Sequence, residues 1–207
     1  VEASEIAPFE DNTVIEPLIS KSLKLKGSKV KAVETNESLG FTEWTLKNGI
    51  KVVVRPSTLK ADEVIISASA KGGKSMLSDA DYFHGDYLAM VMQQSGISKF
   101  SATELSKQLS GKSAYASAGV GAYEHAVSAG GSPKDIETIL QLMYLNFTAP
   151  RFDETDLQNL KNMYVPYFRN MESDPNYLMG KEFQKTLYQN HVRRQVTSAA
   201  QIESLNL

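Results

Sequence analysis

Beyond residue 40 the apolar positions recur with period two or at helical spacing, whereas residues 1–40 hold no sustained period. The opening EIAPFEDNTVIEPLI scatters apolar pairs around two prolines, and SKSLKLKGSKVKAVETNESLG is rich in Lys, Ser and Glu. Such composition predicts a linker or the end of a preceding domain. In FTEWTLKNGIKVVVRPS, Asn48-Gly49 separates two β-rich runs, which predicts a hairpin closed by a type I′ turn with both central residues at φ > 0. A third strand is expected over 62–71, DEVIISASAK.

Helical spacing follows. SDADYFHGDYLAMVMQQSG sets Phe83, Tyr87, Met90, Val91 and Gln94 on one face, with Ser78 or Asp79 as the expected cap and Gly96 as the stop. SATELSKQLSG opens with the capping box Ser101…Glu104 and closes on Gly111. SAYASAGV and AYEHAVSAG alternate as a second hairpin. Ser132 and Pro133 then start a helix whose expected face is Ile136, Ile139, Leu140, Met143 and Phe147. A longer helix carries Leu157, Leu160, Tyr164, Tyr167 and Met171, with a kink expected at Pro166. Asp174-Pro175 opens another, and Ser198 with Gln201 caps a short last one. Strands, helices, strands, helices predict an α+β domain, with a mixed or antiparallel sheet and helices packed on one face.

Composition narrows the chemistry. There is no cysteine among the 207 residues, which excludes disulfides and thiolate chemistry. A net charge of −2 supplies no basic field for nucleic acid, and the lysines of 21–31 read as a solvated segment. No apolar run approaches the ~18–20 residues of a membrane span. The chain begins at Val1 rather than Met and stops at Leu207 just after a helical pattern, so a fragment of a longer protein is expected.

SASAKGGKSML, residues 67–77, raises the question of a phosphate loop, because Gly73-Lys74-Ser75 ends a strand. The template needs a further glycine where Ala68 stands, and helix signals start only at Ser78. A nucleotide binder is therefore the weakest of the readings. His84, His125 and His191 are isolated: Glu124 adjoins His125, but neighbours on a strand face opposite ways. The motif H-x-x-E-H would need histidine at 121, where Gly121 stands. No G-x-S-x-G elbow exists. Asp79/Asp81 and Asp153/Asp156 sit at expected helix starts, where the dipole favours negative charge. Tyr164, Tyr167, Phe168, Tyr177, Phe183 and Tyr188 read as core. No catalytic, cofactor-binding or metal-ligating residue is expected in this chain.

Several segments nonetheless resemble the insulinase/pitrilysin-type zinc metallopeptidases: TEWTLKNGIKVVVRPS, KADEVIISASAKGGKSMLSDADY, QQSGISKFSATELSKQLSGKSA, GGSPKDIETILQLMYLNFTAPRFDETDLQNLKN and NHVRRQVTSAAQIESLNL. The similarity is closest to the large bacterial zinc proteases and runs from about residue 41 to 207, with FTAPRFD its most specific piece. Such enzymes comprise two halves, each of two related α+β domains, closing around a peptide chamber. Their catalytic domain carries H-x-x-E-H on the helix after a Gly-Ser turn; two histidines and a later glutamate hold zinc. Here the corresponding stretch reads YFHGDYLAM, so Tyr87 and Leu88 follow His84 where glutamate and the second histidine would stand. The resemblance thus implies the third domain, which opens the non-catalytic second half. Residues 1–40 would end the preceding domain and link the halves. Residues 41–207 would be a truncated metallopeptidase-like domain, short of its last strand and inactive alone. Implied partners are the catalytic half of the same polypeptide, which would carry the zinc, and peptide substrates. A bacterial periplasmic or envelope location is also implied. The alternative function is a scaffold domain from a family member without the metal site.

Overall fold

The structure, a computed structural model, describes residues 16–20 and 22–207. The strands are β1 (Val30–Asn36), β2 (Phe41–Leu46), β3 (Lys51–Val54), β4 (Val64–Lys71), β5 (Ala114–Val120) and β6 (Glu124–Gly131). The α-helices are α1 (His84–Ser95), α2 (Ala102–Gln108), α3 (Ile136–Thr148), α4 (Glu154–Met171), α5 (Pro175–Leu187) and α6 (Ala199–Glu203). The α+β class holds. The strands, however, form two antiparallel sheets, β1-β2-β3 and β4-β6-β5, rather than one. Between them runs the connection 55–63, which carries Pro56 and leaves Leu59 exposed.

β1 lies within the stretch that shows no sustained period in the sequence. Cross-strand pairing supplies the order that composition hides. Val33, Trp44 and Val52 stand opposite one another, and Thr35, Thr42 and Val54 continue the same face. Glu34, Glu43 and Val53 occupy the reverse face, where Lys51 pairs with Glu43 at 2.6 Å. The hairpin turn also differs from expectation. Gly49 alone has positive φ, 88°. Its N–H donates to the Leu46 carbonyl, and the Leu46 N–H donates to the Ile50 carbonyl. That is a three-residue loop closed by a glycine bulge, which the Asn-Gly pair does not distinguish from a type I′ turn.

Two apolar clusters fix the helices to the second sheet and to each other. One contains Leu18, Ile97, Phe100, Leu142 and Leu145. Leu18, from the segment read as linker, is thus anchored; the Glu16 N–H also donates to Gln108 at 2.8 Å. The other contains Val91, Leu157, Leu160, Ile202 and Leu205, with Phe83, Tyr87 and Met90 of the expected α1 face packed against it. Burying each such side chain is worth about 1.5–3 kcal/mol. The Asp153 N–H donates to the oxygen of fully buried Ser95, tying the end of α1 to the start of α4.

Capping follows the sequence closely. Both boxes, Ser101/Glu104 and Ser198/Gln201, are complete, and Asp153 and Asp174 cap α4 and α5. α4 continues through Pro166. Ser132 and Pro133 open the next helical run as expected, through a 3-10 turn (Pro133–Asp135) that leads directly into α3 at Ile136. Two expectations fail. α1 starts at His84, because Ser78 instead forms a local turn, its oxygen accepting from the Asp81 N–H. α3 buries Ile139, Leu142 and Leu145 while Leu140 and Phe147 are exposed. Its sequence is apolar almost all round, so spacing alone does not select the buried side.

Candidate functional site

The turn after β4 is built from two glycines for a steric reason. Gly73 has φ +62°, and a Cβ there would lie 2.4 Å from the Gly121 carbonyl oxygen. The close approach lets the backbone donors of this turn reach the β5–β6 connection. Gly72 N–H donates to Tyr123 O, Lys74 N–H to Gly121 O and Ser75 N–H to Ala122 O. Gly73 N–H donates to His125 Nε2 at 3.2 Å. Every amide that a phosphate loop would offer is therefore already engaged by the protein. Lys74 is engaged as well: its ammonium pairs with Asp86 and lies 4.7 Å from the centre of the Tyr82 ring. The GGKS sequence works here as a turn.

α1 follows, and His84 opens it. The imidazole lies edge-on to Phe83, with ring centres 6.4 Å apart. It lines an apolar groove of about 190 Å³ with Tyr87, Leu88, Val91, Phe152 and Leu205. Burial raises the Tyr87 phenol above its ordinary pKa. The other histidines serve elsewhere. His125 holds the glycine turn, and the His191 Nδ1 accepts from the Arg193 N–H, capping a 3-10 turn. Among the described residues no three His, Asp or Glu side chains come together as metal ligands. Zinc, the ion of the resembled family, does not fit this donor set: a lone imidazole among Phe83, Tyr87 and Leu88 supplies none of the further ligands that a zinc site takes.

The carboxylates have assigned partners too. Asp79 is not at a helix start; it receives the Arg193 guanidinium at 2.6 Å. Asp81 accepts from the Ser78 hydroxyl at 2.6 Å. Asp153 caps α4, and the Thr155 amide and then Arg151 hold its carboxyl below the ordinary range. Of the aromatic series, Tyr164 and Phe168 pack against the second cluster, whereas Tyr167 and Phe183 are exposed. The fold also gathers Tyr82, Arg193 and Arg194 beside His191, a grouping that the sequence signals only through the HVRR run.

No protein-family model matches the chain. It is 24% identical over 192 residues to a zinc protease PQQL-like protein of Arabidopsis thaliana, covering 91% of this chain and 17% of that protein. Among solved structures, the periplasmic protease PqqL from Escherichia coli superposes with TM-score 0.79 at 17% identity, over 97% of this chain and 22% of the other. A mutant of the ferredoxin protease FusC, in complex with Arabidopsis ferredoxin, gives 0.77 at 20% identity, over 99% and 22%. The chain folds as a pitrilysin-type zinc-protease domain. The chain spans about a fifth of the length of each of these proteins. The pitrilysin-type fold also links it to an M16 peptidase inactive domain from Pseudomonas fluorescens, with TM-score 0.62 and 20% identity over 82% of this chain and 41% of that one. No helix among the described residues is long and apolar enough to cross a membrane.

Proposed function

We propose that this chain is a non-catalytic domain of a zinc metalloendopeptidase and forms one wall of its closed peptide chamber. The observation that carries the reading is α1. The helix that follows the Gly-rich turn presents His84, Tyr87 and Leu88 at the i, i+3 and i+4 positions of a metal-binding helix, with one ligand in place of a motif. Residues 41–207 form the domain, opening the second half of the parent. Residues 1–40 close the preceding domain and connect the halves. The catalytic half of the same polypeptide supplies zinc and hydrolysis, and peptide substrates fill the space between. Enclosure lowers the barrier by fixing substrate orientation before chemistry, an effect that can reach several kcal/mol, roughly 7–11 in the best-oriented systems.

Uncovered apolar surface supports a role as a wall rather than a free-standing unit. Met179, Phe183 and Leu187 repeat every four residues along α5, and all are more than half exposed. Val33 and Val54 lie open on the first sheet. Contiguous surfaces of this kind mark contacts with other protein. The periplasmic location of one structural relative supports the same compartment for the parent.

The test is peptide hydrolysis by the parent polypeptide, by the parent with this domain deleted, and by the 207-residue chain alone. Turnover is expected from the intact parent only. Turnover by the isolated chain, or full activity after deletion, would contradict the reading.

A further inference from the structure

Beside the glycine turn lies a groove of about 510 Å³ walled by Tyr82, Tyr123, Tyr188, His191, Arg193 and Arg194. His191 and Arg194 also form the border of a second groove of about 370 Å³, which adds Lys181 and Lys185. The two grooves share a basic rim. Its single lining carboxylate is Glu182, 3.4 Å from Lys185.

The two arginines have different roles. Arg193 is a buttress: its Nε donates to Asp79 at 2.6 Å, its Nη2 to the Leu77 carbonyl at 2.9 Å, and its guanidinium lies 4.8 Å from the Tyr82 ring centre. Tyr82 thereby sits between Arg193 and Lys74. Arg194 has no carboxylate partner among the described residues. It is exposed and rests 5.2 Å from the Tyr188 ring centre, an arrangement that orients the guanidinium while leaving its donors for another group. His191 adds a donor. Because Nδ1 accepts from the Arg193 amide, the proton of the neutral ring is on Nε2.

The segment presenting these groups is held in an uncommon backbone conformation. Gln189 and Asn190 are consecutive non-glycine residues at φ 52° and 55°. Such a conformation persists where surrounding structure enforces it. Here the Asn190 N–H donates to the Lys185 carbonyl at 2.7 Å and the His191 N–H to the Tyr188 carbonyl at 2.9 Å. The turn sets His191 and Arg194 in a fixed relation to Tyr188.

We infer that these joined grooves bind an acidic peptide segment, with Arg194 and His191 taking a side-chain carboxylate and the tyrosine rings flanking the backbone. A planar guanidinium matches a carboxylate with two parallel donors. Two adjoining grooves accommodate an extended chain better than a compact anion. The peptide nature of the ligand rests on the chamber reading; the preference for carboxylate rests on the grooves alone.

Calorimetric titration of the 207-residue chain tests it with three probes: an acetylated, amidated hexapeptide containing three glutamates, its glutamine counterpart, and inorganic phosphate. The glutamate peptide should bind saturably and weaken with added salt, with the glutamine peptide about tenfold weaker or more, as expected for loss of a charge-assisted pair. Arg194→Ala should weaken the glutamate peptide by a similar factor at unchanged melting temperature, whereas Lys161→Ala on α4 should not. Absence of saturable binding, indifference to Arg194→Ala, or phosphate binding as tightly as the peptide would overturn the inference. These isotherms do not depend on hydrolysis by the parent, so failure of the chamber reading and failure of this one are separable.

Discussion

Substituting Gly73→Ala bears on what the GGKS sequence is for. An L-residue at φ +62° costs about 1–2 kcal/mol by itself. The new Cβ would also stand 2.4 Å from Gly121 O, 2.5 Å from Glu124 N and 2.8 Å from Glu124 O, all backbone atoms. Ordinary contact needs at least 3.4 Å, so the β5–β6 connection must retreat by roughly an ångström. Retreat loosens the Lys74 N–H bond to Gly121 O and the Gly121 N–H bond to Glu124 O, each worth about 0.5–1.5 kcal/mol net. The total is about 2–5 kcal/mol, a large part of the ~5–15 kcal/mol stability usual for a domain. Gly111→Ala is the internal control, since Gly111 has φ +75° and nothing within 4 Å of its added Cβ. Thermal unfolding followed by circular dichroism should show Gly73→Ala lowering Tm by roughly 5–15 °C and Gly111→Ala by about 2–6 °C. Equal shifts for the two variants would refute the steric argument. A rise in Tm with millimolar ATP would refute the assignment of the loop as a turn.

Other outcomes follow from the same structure. Leu160→Ala removes a fully buried side chain between α4 and α6 and should cost about 2–5 kcal/mol in chemical denaturation, with Tyr167→Ala, on the exposed side of α4, costing well under half of that. Ser101→Ala deletes the α2 cap and should cost about 1 kcal/mol by the same measurement. The Ser101 amide and hydroxyl hold Glu104 below the ordinary carboxylate range. A depressed folded-state value contributes stability above the unfolded value that is lost as pH falls through the folded one. Tm should therefore drop on the acid side of the carboxylate range, and Glu104→Gln, which can still complete the box, should flatten that drop.

Local chemistry was legible in the sequence and long-range choice was not. Caps at Ser101, Asp153, Asp174 and Ser198 were readable because each acts on amides two or three residues away. The hidden features depend on distant neighbours. β1 is ordered by its partner Phe41–Leu46, and the turn at Gly49 by the register of its flanking strands. The buried side of α3 is selected by Ile97 and Phe100, forty residues earlier in the chain by order of magnitude. At the candidate site, His84 and the missing second ligand were visible as spacing. The basin around Arg194 was not, since Tyr82 and Tyr123 reach it from separate loops.

Metal analysis of the purified chain, after equilibration with zinc and exhaustive buffer exchange, decides whether this domain holds a catalytic metal ion. With His84 a lone imidazole on α1, far less than one zinc per chain is expected, unaltered by His84→Ala. One zinc per chain, released by that substitution, would contradict the expectation.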